Sequence, residues 1–466
     1  MSAAKYSLRR DVVAVTAARI LSPLSSSLLI IALARLTGPA GLGQYTLLVT
    51  LFQLFEYVKS FGLPALLVRE CSGKDAAVGL AWRRELIRFG ATGALGLCIL
   101  LPLAVSLQPA AEIIPAAVMA VGLFPSAVSM ANDAFLLASG RSPVTAWLAL
   151  GEGLLRMALS LAAVAADLGL AGLAGVYVVG RAAHAAAGWL MIRGIRGGED
   201  AGRRPVAAAA LRAEALSFAM IFVLPLALFR LDVIVLGWLA PAATLGIYGA
   251  ALRIFSVGLV LPDGVLSAVF ATFARLHGEG RAGELRHVLR KTALRLGAVL
   301  VGAATIGSLL APWVMRTLFG EEFAGSAGVL AILLWALPVF AWNRTLGDAL
   351  VATGGQRIVG RIVIGSLLFG IAVYPPLIVG YGAVGAAWAL LIVSGAIGAA
   401  SAWFAVARGL IRTPELAPFV LPVICGLTAA ALPAGGARVA AMVSAMALTF
   451  WWLRPERSTA SGSLPS

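Results

Sequence analysis

Long apolar stretches, separated by short polar or basic segments, run along the whole chain. A transmembrane helix needs roughly 17–25 predominantly apolar residues, and fourteen stretches meet that requirement. They lie near 12–36, 43–68, 86–107, 112–138, 143–166, 169–192, 211–239, 245–273, 292–319, 325–352, 358–380, 383–407, 416–433 and 437–453. The pattern predicts an all-α polytopic membrane protein with about 14 transmembrane helices.

The composition agrees with a membrane protein. Of the 466 residues, 61% are hydrophobic and 12% are charged, which is more apolar surface than a soluble domain could cover. Cys71, Cys98 and Cys425 are isolated, and no G-x-x-x-x-G-K-[ST] sequence occurs, so we expect no metal and no cofactor. The apolar run behind the basic N-terminus is too long for a signal peptide, and we expect it to be a retained first span.

The basic residues alternate between loops and predict the topology. If the N-terminus is cytoplasmic, the inner loops carry most of the Arg and Lys, whereas the outer loops hold little beyond Arg316 and Arg438. This asymmetry is the positive-inside pattern, and it predicts an inner (cytoplasmic) membrane protein with both termini in the cytoplasm. The formal charge of +15 is then a topology signal. We expect contacts with membrane lipids and none with nucleic acid, because no basic surface domain with interleaved aromatic residues occurs.

Three short motifs recur in the same order along the chain and predict an internal repeat. They are LGQY at 42–45 and LGIY at 245–248, ASG at 138–140 and ATG at 352–354, and GLAG at 169–172 and GAVG at 382–385. Six spans per repeat would give two parallel six-helix halves, which can rock about a central cavity. The predicted organisation is an N-terminal half 1–192, a cytoplasmic linker 193–210, a C-terminal half 211–407, two extra spans in 408–453 and a disordered cytoplasmic tail 454–466.

Several segments of the chain, including some of the repeated motifs, resemble a known family. They are Leu33-Ala34-Arg35-Leu36-Thr37-Gly38-Pro39, Gly43-Gln44-Tyr45, Phe61-Gly62-Leu63-Pro64, Val68-Arg69-Glu70, Leu231-Asp232 and the second-half motifs LGIY and ATG. In these the chain resembles the oligosaccharide flippases of the multidrug/oligosaccharidyl-lipid/polysaccharide exporter superfamily. The resemblance implies six plus six spans with two extra C-terminal ones, and export of a polyprenyl-pyrophosphate-linked sugar repeat unit. It also implies a lipid-linked oligosaccharide as substrate, with a polysaccharide polymerase and glycosyltransferases as partners.

Charged residues inside the predicted spans are the candidate functional groups. An ionisable group near the bilayer centre costs at least about 2.5–3.5 kcal/mol, so it usually faces a partner or a wet cavity. The basic ones are Arg19, Arg35, Lys59, Arg156, Arg181, Arg230, Arg253 and Arg344, and the acidic ones are Glu56, Asp133, Glu152, Asp232, Asp263 and Asp348.

A pyrophosphate carries about two negative charges, and guanidinium groups suit its oxygens. We therefore predict that the basic residues of both halves bind the substrate: Arg19, Lys59, Arg230, Arg253 and Arg344. Three acidic residues, Glu56, Asp232 and Asp263, are candidates for ion coupling or gating.

Local pairing is the alternative for several of these charges. Glu152 with Arg156 and Arg344 with Asp348 are four residues apart, and Glu56 with Lys59 three apart, so each pair can neutralise itself on one helix face. Arg35 lies near the outer end of its span and can reach the interface. A lone intramembrane histidine, His184, is interpreted as a packing residue, with a proton relay as the alternative.

The leading functional hypothesis is a transporter that flips a lipid-linked oligosaccharide to the outer leaflet by alternating access. A cation-coupled multidrug exporter of the same superfamily is the alternative, although it would favour an acidic cavity and twelve spans. A membrane glycan polymerase or glycosyltransferase is the competing class. The outer loops offer such an enzyme only Glu112, Asp167, Glu321 and Glu322, so we do not expect an enzyme.

Overall fold

A computed structural model describes residues 2–106, 113–195 and 208–412, together with residues 424 and 444, with side chains from 25 onward in the first range and from 223 in the third. Within these ranges the chain is helical and contains no strand. The helices are α1 Ser2–Ser60, α2 Leu63–Cys71, α3 Ala76–Ser106, α4 Ile113–Val121, α5 Leu123–Ala138, α6 Ser142–Ala165, α7 Gly169–Ile192, α8 Ala208–Leu239, α9 Ala242–Gly258, α10 Val260–Gly278, α11 Ala282–Phe319, α12 Ser326–Ala352 and α13 Gln356–Ala407. The predicted all-α polytopic membrane fold is confirmed.

The described helices overlap each of the first twelve predicted spans. Among the described residues, nine segments are long and apolar enough to cross a membrane. Two of the helices, α1 and α13, each contain two predicted spans and bend between them, at Gly38 (φ 67°) and Gly382 (φ 55°). Glycine tolerates this left-handed backbone at no steric cost. The thirteenth and fourteenth spans fall almost entirely outside the described residues, so the count of about 14 stays a prediction.

One predicted boundary differs from the structure. The second span was expected to run to residue 68, but α1 ends at Ser60 because Phe61 and Gly62 adopt positive φ angles of 49° and 71°. The chain then starts the separate helix α2, with Pro64 in its first turn. A proline there loses no intrahelical hydrogen bond, because the first N–H groups of a helix have no intrahelical acceptor.

The chain divides into two compact units. Unit 1 comprises Met1–Val257, Val314–Ser326 and Val363–Ala389, and unit 2 comprises Gly258–Trp313, Ala327–Ile362 and Leu390–Ser466. These units differ from the predicted sequence halves, which remain a prediction.

Each unit has its own apolar core. In unit 1, buried Leu33 and Tyr45 of α1 pack with residues of α6 and α7. In unit 2, Phe273 of α10, Leu346 of α12 and Ala405 of α13 pack together. Because lipid is as apolar as these side chains, such helix contacts depend on close packing and on polar bridges.

Candidate functional site

Within unit 1, the repeated LGQY and LGIY motifs meet at a very close helix crossing. A Cβ atom added to Gly43 of α1 would lie 1.9 Å from the backbone oxygen of Ala242, and one added to Gly246 of α9 would lie 1.8 Å from that of Pro39. The contact is reciprocal, because Gly43 faces the residue four positions before Gly246, and Gly246 faces the residue four positions before Gly43. Small residues at this spacing let two membrane helices approach backbone to backbone. The crossing lies beside the Gly38 bend, at the end of the helices that the charge pattern predicts to face outward.

Arg35 adds a polar contact near the same end of unit 1. Its Nε donates to the backbone oxygen of Leu318 at 2.8 Å, and its Nη2 donates to that of Thr317. Both carbonyls lie in the last turn of α11, where backbone oxygens have no intrahelical donor. Arg35 therefore caps another helix instead of simply extending to the membrane interface.

A second polar feature of unit 1 is a buried ionic network among α1, α5, α6 and α7. Arg181 donates from Nη2 to Glu56 Oε2 at 2.9 Å and from Nη1 to Glu152 Oε2 at 3.2 Å. The imidazole of His184 contacts Glu152 Oε2 at 2.8 Å through Nδ1 and Asp133 Oδ1 at 3.1 Å through Nε2. The network thus joins four helices through charges separated widely in sequence.

Arg156 completes this network on the side of Tyr177. Its guanidinium lies 3.7 Å from Glu152, as expected for a pair four residues apart on α6, and 4.6 Å from the centroid of the Tyr177 ring. Lys59, in contrast, does not pair with the Glu56 carboxylate. Its Nζ donates to Ser126 Oγ and to the backbone oxygen of Glu56, and the residue is 1% exposed.

Two arginines of the second predicted half face α1 within unit 1. Arg230 of α8 donates to Gln53 Oε1 at 3.1 Å, and Arg253 of α9 donates from Nε to Ser27 Oγ at 3.1 Å. Both of these partners are neutral. Among the described residues, no carboxylate lies within 4 Å of Arg230, and its buried Nε has no hydrogen-bond acceptor. The charges of Arg230 and Arg156 also act on Arg253, so positive charge accumulates here.

The carboxylate of Asp232 has a different environment, although it is only two residues from Arg230. It is 1% exposed and accepts hydrogen bonds from the Tyr248 hydroxyl and from the backbone N–H of Val233. The tyrosine of the repeated LGIY motif therefore holds a buried carboxylate on α8. Such a contact fixes α8 against α9.

Comparison with known protein families shows which family the chain belongs to. The family described as "Polysaccharide biosynthesis protein" matches residues 8–277, more than half of the chain. The chain belongs to the polysaccharide biosynthesis protein family. A second family, MatE, matches residues 206–375, so the suspected membership of the exporter superfamily is confirmed.

Individual relatives of this polysaccharide biosynthesis family member are distant. The "Probable flippase AglR" of Haloferax volcanii is 29% identical over 109 residues, which are 23% of this chain and only 22% of that protein. The structure of the "Lipid II flippase MurJ, inward closed conformation" aligns with a TM-score of 0.70 and 13% identity, covering 95% of this chain and 98% of the other. An inward-facing "multidrug resistance MATE family transporter of the MOP superfamily" gives a TM-score of 0.69 and 14% identity, over 85% and 96% of the two chains. At these identities the structural likeness concerns the fold alone.

The predicted site residues of this family member fall in three places. Arg230 and Arg253 come together on α1, whereas Lys59 is buried against α5. Arg344 belongs to unit 2, where it lies 3.6 Å from Asp263 and 3.0 Å from Asp348. The side chain of Arg19 lies outside the described residues.

Sequence reasoning underrated two residues of the network, Arg181 and His184. In the sequence each is a charge or polar group on one helix, whereas their carboxylate partners lie on other helices. The separations are 125 residues for Arg181 and Glu56, and 51 residues for His184 and Asp133. The sequence offers one signal for such ion pairs between helices: several of the predicted spans contain both a basic and an acidic residue.

Proposed function

We propose that this protein is a transporter that flips a polyprenyl-pyrophosphate-linked oligosaccharide repeat unit from the cytoplasmic to the outer leaflet by alternating access. The pyrophosphate would bind between the two predicted halves, at Arg230 and Arg253. The sugar would occupy a wet cavity, and the polyprenyl chain would stay in lipid.

The observation that carries the proposal is that Arg230 donates to a neutral partner, while the Asp232 carboxylate within its electrostatic range is held by Tyr248. Within the described part of the chain, no carboxylate lies within 4 Å of this guanidinium, so it can bind an anion without first breaking an ion pair. Arg253, which donates to the neutral Ser27, lies within electrostatic range of it. Two like charges held close together repel each other, and an anion between them relieves that repulsion. Together they match the roughly two negative charges of a pyrophosphate, and guanidinium groups bind phosphate oxygens in bidentate fashion.

The other predicted site residues take secondary roles in this proposal. Arg19 remains a predicted pyrophosphate ligand on sequence grounds. Lys59 would support the network from its buried position, and Arg344 would act with Asp263 as a gating contact in unit 2. Of the candidates for ion coupling or gating, Glu56 belongs to the ionic network, and Asp232 would act as a structural anchor for α8 and α9.

The proposal extends to the membrane in which the protein acts and to its partner enzymes. The protein would lie in the cytoplasmic membrane with both termini inside. Glycosyltransferases would supply the lipid-linked unit, and a polymerase would consume it outside. AglR, a probable flippase by name, and the family's description as polysaccharide biosynthesis proteins support a lipid-linked sugar.

Reconstituted vesicles provide the test. Proteoliposomes containing the purified protein and a polyprenyl-pyrophosphate-linked oligosaccharide are assayed for movement of the sugar between leaflets. We expect Arg230→Gln and Arg253→Gln to slow flipping at least tenfold, because each removes one of the two charges that face the pyrophosphate. Arg275→Gln is the matched control, since Arg275 lies at the end of α10 with its side chain 62% exposed. Equal rates for all three variants would contradict the proposed binding site.

Export of organic cations is the second candidate function, favoured by the MatE match over residues 206–375. It predicts that the parent protein exports cationic dyes and leaves lipid-linked sugars in their original leaflet. Such a result, with dye export intact in Arg230→Gln and Arg253→Gln, would replace the flippase proposal.

A further inference from the structure

The imidazole of His184 lies between two carboxylates that come from two other helices. Nδ1 is 2.8 Å from Glu152 Oε2 on α6, and Nε2 is 3.1 Å from Asp133 Oδ1 on α5. The side chains of His184 and Glu152 are 3% and 7% exposed, whereas that of Asp133 is 32% exposed. The site is therefore enclosed, with Asp133 as its accessible end.

The hydrogen-bond chemistry of this arrangement requires an additional proton. A neutral imidazole donates from one nitrogen only, and an ionised carboxylate only accepts. Two ring nitrogens at hydrogen-bond distance from two carboxylates therefore need either an imidazolium or a carboxylic acid that donates to the ring. In both cases the three groups hold one proton more than a neutral histidine and two carboxylates would.

Other titratable or charged groups surround the imidazole on the helices that pack around α7. They are Glu56 and Lys59 on α1, Asp133 on α5, Glu152 and Arg156 on α6, and Tyr177 and Arg181 on α7 itself; α4, which also packs on α7, carries none. Arg83 lies one layer further away, on α3, which packs on α5. Arg83 acts at a distance, since it donates to Asn132, which in turn donates to the backbone of α7.

With Arg83 left aside, the formal charges that surround the site cancel. Glu56, Asp133 and Glu152 contribute three negative charges, and Lys59, Arg156 and Arg181 contribute three positive ones. The proton is therefore held by its hydrogen bonds of 2.8 and 3.1 Å and not by an excess of negative charge.

We propose that His184, Glu152 and Asp133 form a proton-binding site whose occupancy controls the packing of α7 against α5 and α6. When the proton leaves, the imidazole can donate to only one of the two carboxylates, so one of the two interhelical contacts is lost. The bridge is complete at low pH and breaks as pH rises through the titration of the site. Since Glu152 Oε2 also accepts from Arg181, the change reaches Glu56 on α1. The proposal is independent of the transported substrate.

Spectroscopy of a single-histidine protein tests it directly. The chain has only three histidines, and His277 and His287 are exposed, so His277→Gln with His287→Gln leaves His184 alone. The ¹⁵N-histidine-labelled protein in lipid nanodiscs is titrated by NMR, with infrared detection of protonated carboxyl groups. At pH 7.5 an ordinary imidazole, with a pKa near about 6.5, is mostly neutral. We expect the parent at this pH to show either the NMR signal of an imidazolium or the infrared band of a carboxylic acid, and we expect that signal to be lost in Asp133→Asn or Glu152→Gln. A neutral imidazole without such a band at pH 7.5 would overturn the proposal.

The structural consequence is tested by the pH dependence of thermal melting of the purified protein. His184→Gln keeps a polar side chain with an N–H donor group and a carbonyl acceptor but does not titrate, and His277→Gln is the matched control. We expect the parent and His277→Gln to lose thermal stability as pH rises, and His184→Gln to show no such loss. An unchanged pH dependence in His184→Gln would overturn the link to helix packing. If His184→Gln does not fold, the spectroscopic titration of the single-histidine protein still decides whether the proton is bound.

Discussion

Replacing Gly246 by alanine perturbs the crossing of α1 and α9 in a way that can be estimated from the structure. The new Cβ would lie 1.8 Å from the backbone oxygen of Pro39, against about 3.4 Å for an ordinary contact, so the helices must separate by roughly 1.6 Å. The obstructing atom belongs to the backbone and cannot rotate away. Overpacking of this kind typically costs about 1–3 kcal/mol, which corresponds to a roughly 5- to 150-fold shift against the closed crossing.

Cysteine labelling measures that shift. In a protein whose three cysteines are replaced, Gln53→Cys on α1 reports access to the site beneath the crossing, about 15 Å along the helix from Gly43 at 1.5 Å per residue. A membrane-impermeant maleimide is added on the predicted outer side. We expect Gly246→Ala to label several-fold faster than its parent, and the reciprocal variant Gly43→Ala to do the same.

Gly175→Ala is the matched control for this experiment. Gly175 lies in α7 within the same unit and has no atom within 4 Å of an added Cβ, so the variant should gain up to about 1 kcal/mol of helix propensity. If Gly246→Ala labels at the parent rate, like Gly175→Ala, and melts no lower than the parent, then the crossing does not close the path and the reasoning is wrong.

Three further predictions concern the buried polar groups. Arg181→Met should destabilise the protein by about 3–5 kcal/mol, because it leaves the buried Glu56 carboxylate without its cation; adding Glu56→Gln should recover part of this loss in thermal melting. Tyr248→Phe should cost about 1–3 kcal/mol, because buried Asp232 loses its hydroxyl donor, and chemical denaturation of the two proteins checks this. Burial raises the pKa of the Cys71 thiol to about 11, so the thiolate forms only in strong alkali; maleimide labelling of Cys71 at pH 7 should be slow compared with that of an exposed engineered cysteine.

The sequence predicted the helices well because membrane spans have a simple physical requirement. About twenty apolar residues are needed to cross the hydrocarbon core, and this count can be read residue by residue. Gly38 between two spans likewise marked the bend in α1. Pairs four residues apart, such as Glu152 with Arg156 and Arg344 with Asp348, follow from helix geometry alone, and both are present.

The long-range contacts could not be predicted in the same way. The motifs around Gly43 and Gly246 were recognised as repeats, but nothing in them states that each glycine packs on the backbone of the other. For Glu56, the cation three residues away was the nearest candidate, yet the structure provides Arg181 from α7. Several basic residues satisfy the same electrostatic requirement, and only the packing of the helices selects one of them.

The separation of charges in unit 1 leads to a final prediction about the driving force. The carboxylates and the proposed proton lie among α1, α5, α6 and α7, whereas Arg230 and Arg253 donate to Gln53 and Ser27 of α1. An anion and a proton would therefore occupy different places and could move in opposite directions.

Outward movement of about two negative charges across an inside-negative membrane gains roughly 4.6 kcal/mol per 100 mV, and a proton returning inward raises this to roughly 6.9 kcal/mol. Imposed potassium diffusion potentials set the membrane potential, and the ratio of lipid-linked sugar in the two leaflets is measured at each potential. The dependence of this ratio on potential gives the number of charges moved for each flipped molecule, and we expect three for the parent protein. For His184→Gln we expect two, because the variant cannot carry the proton. Two charges in both proteins would mean that the proton stays bound during flipping, and that it controls helix packing without contributing to the driving force.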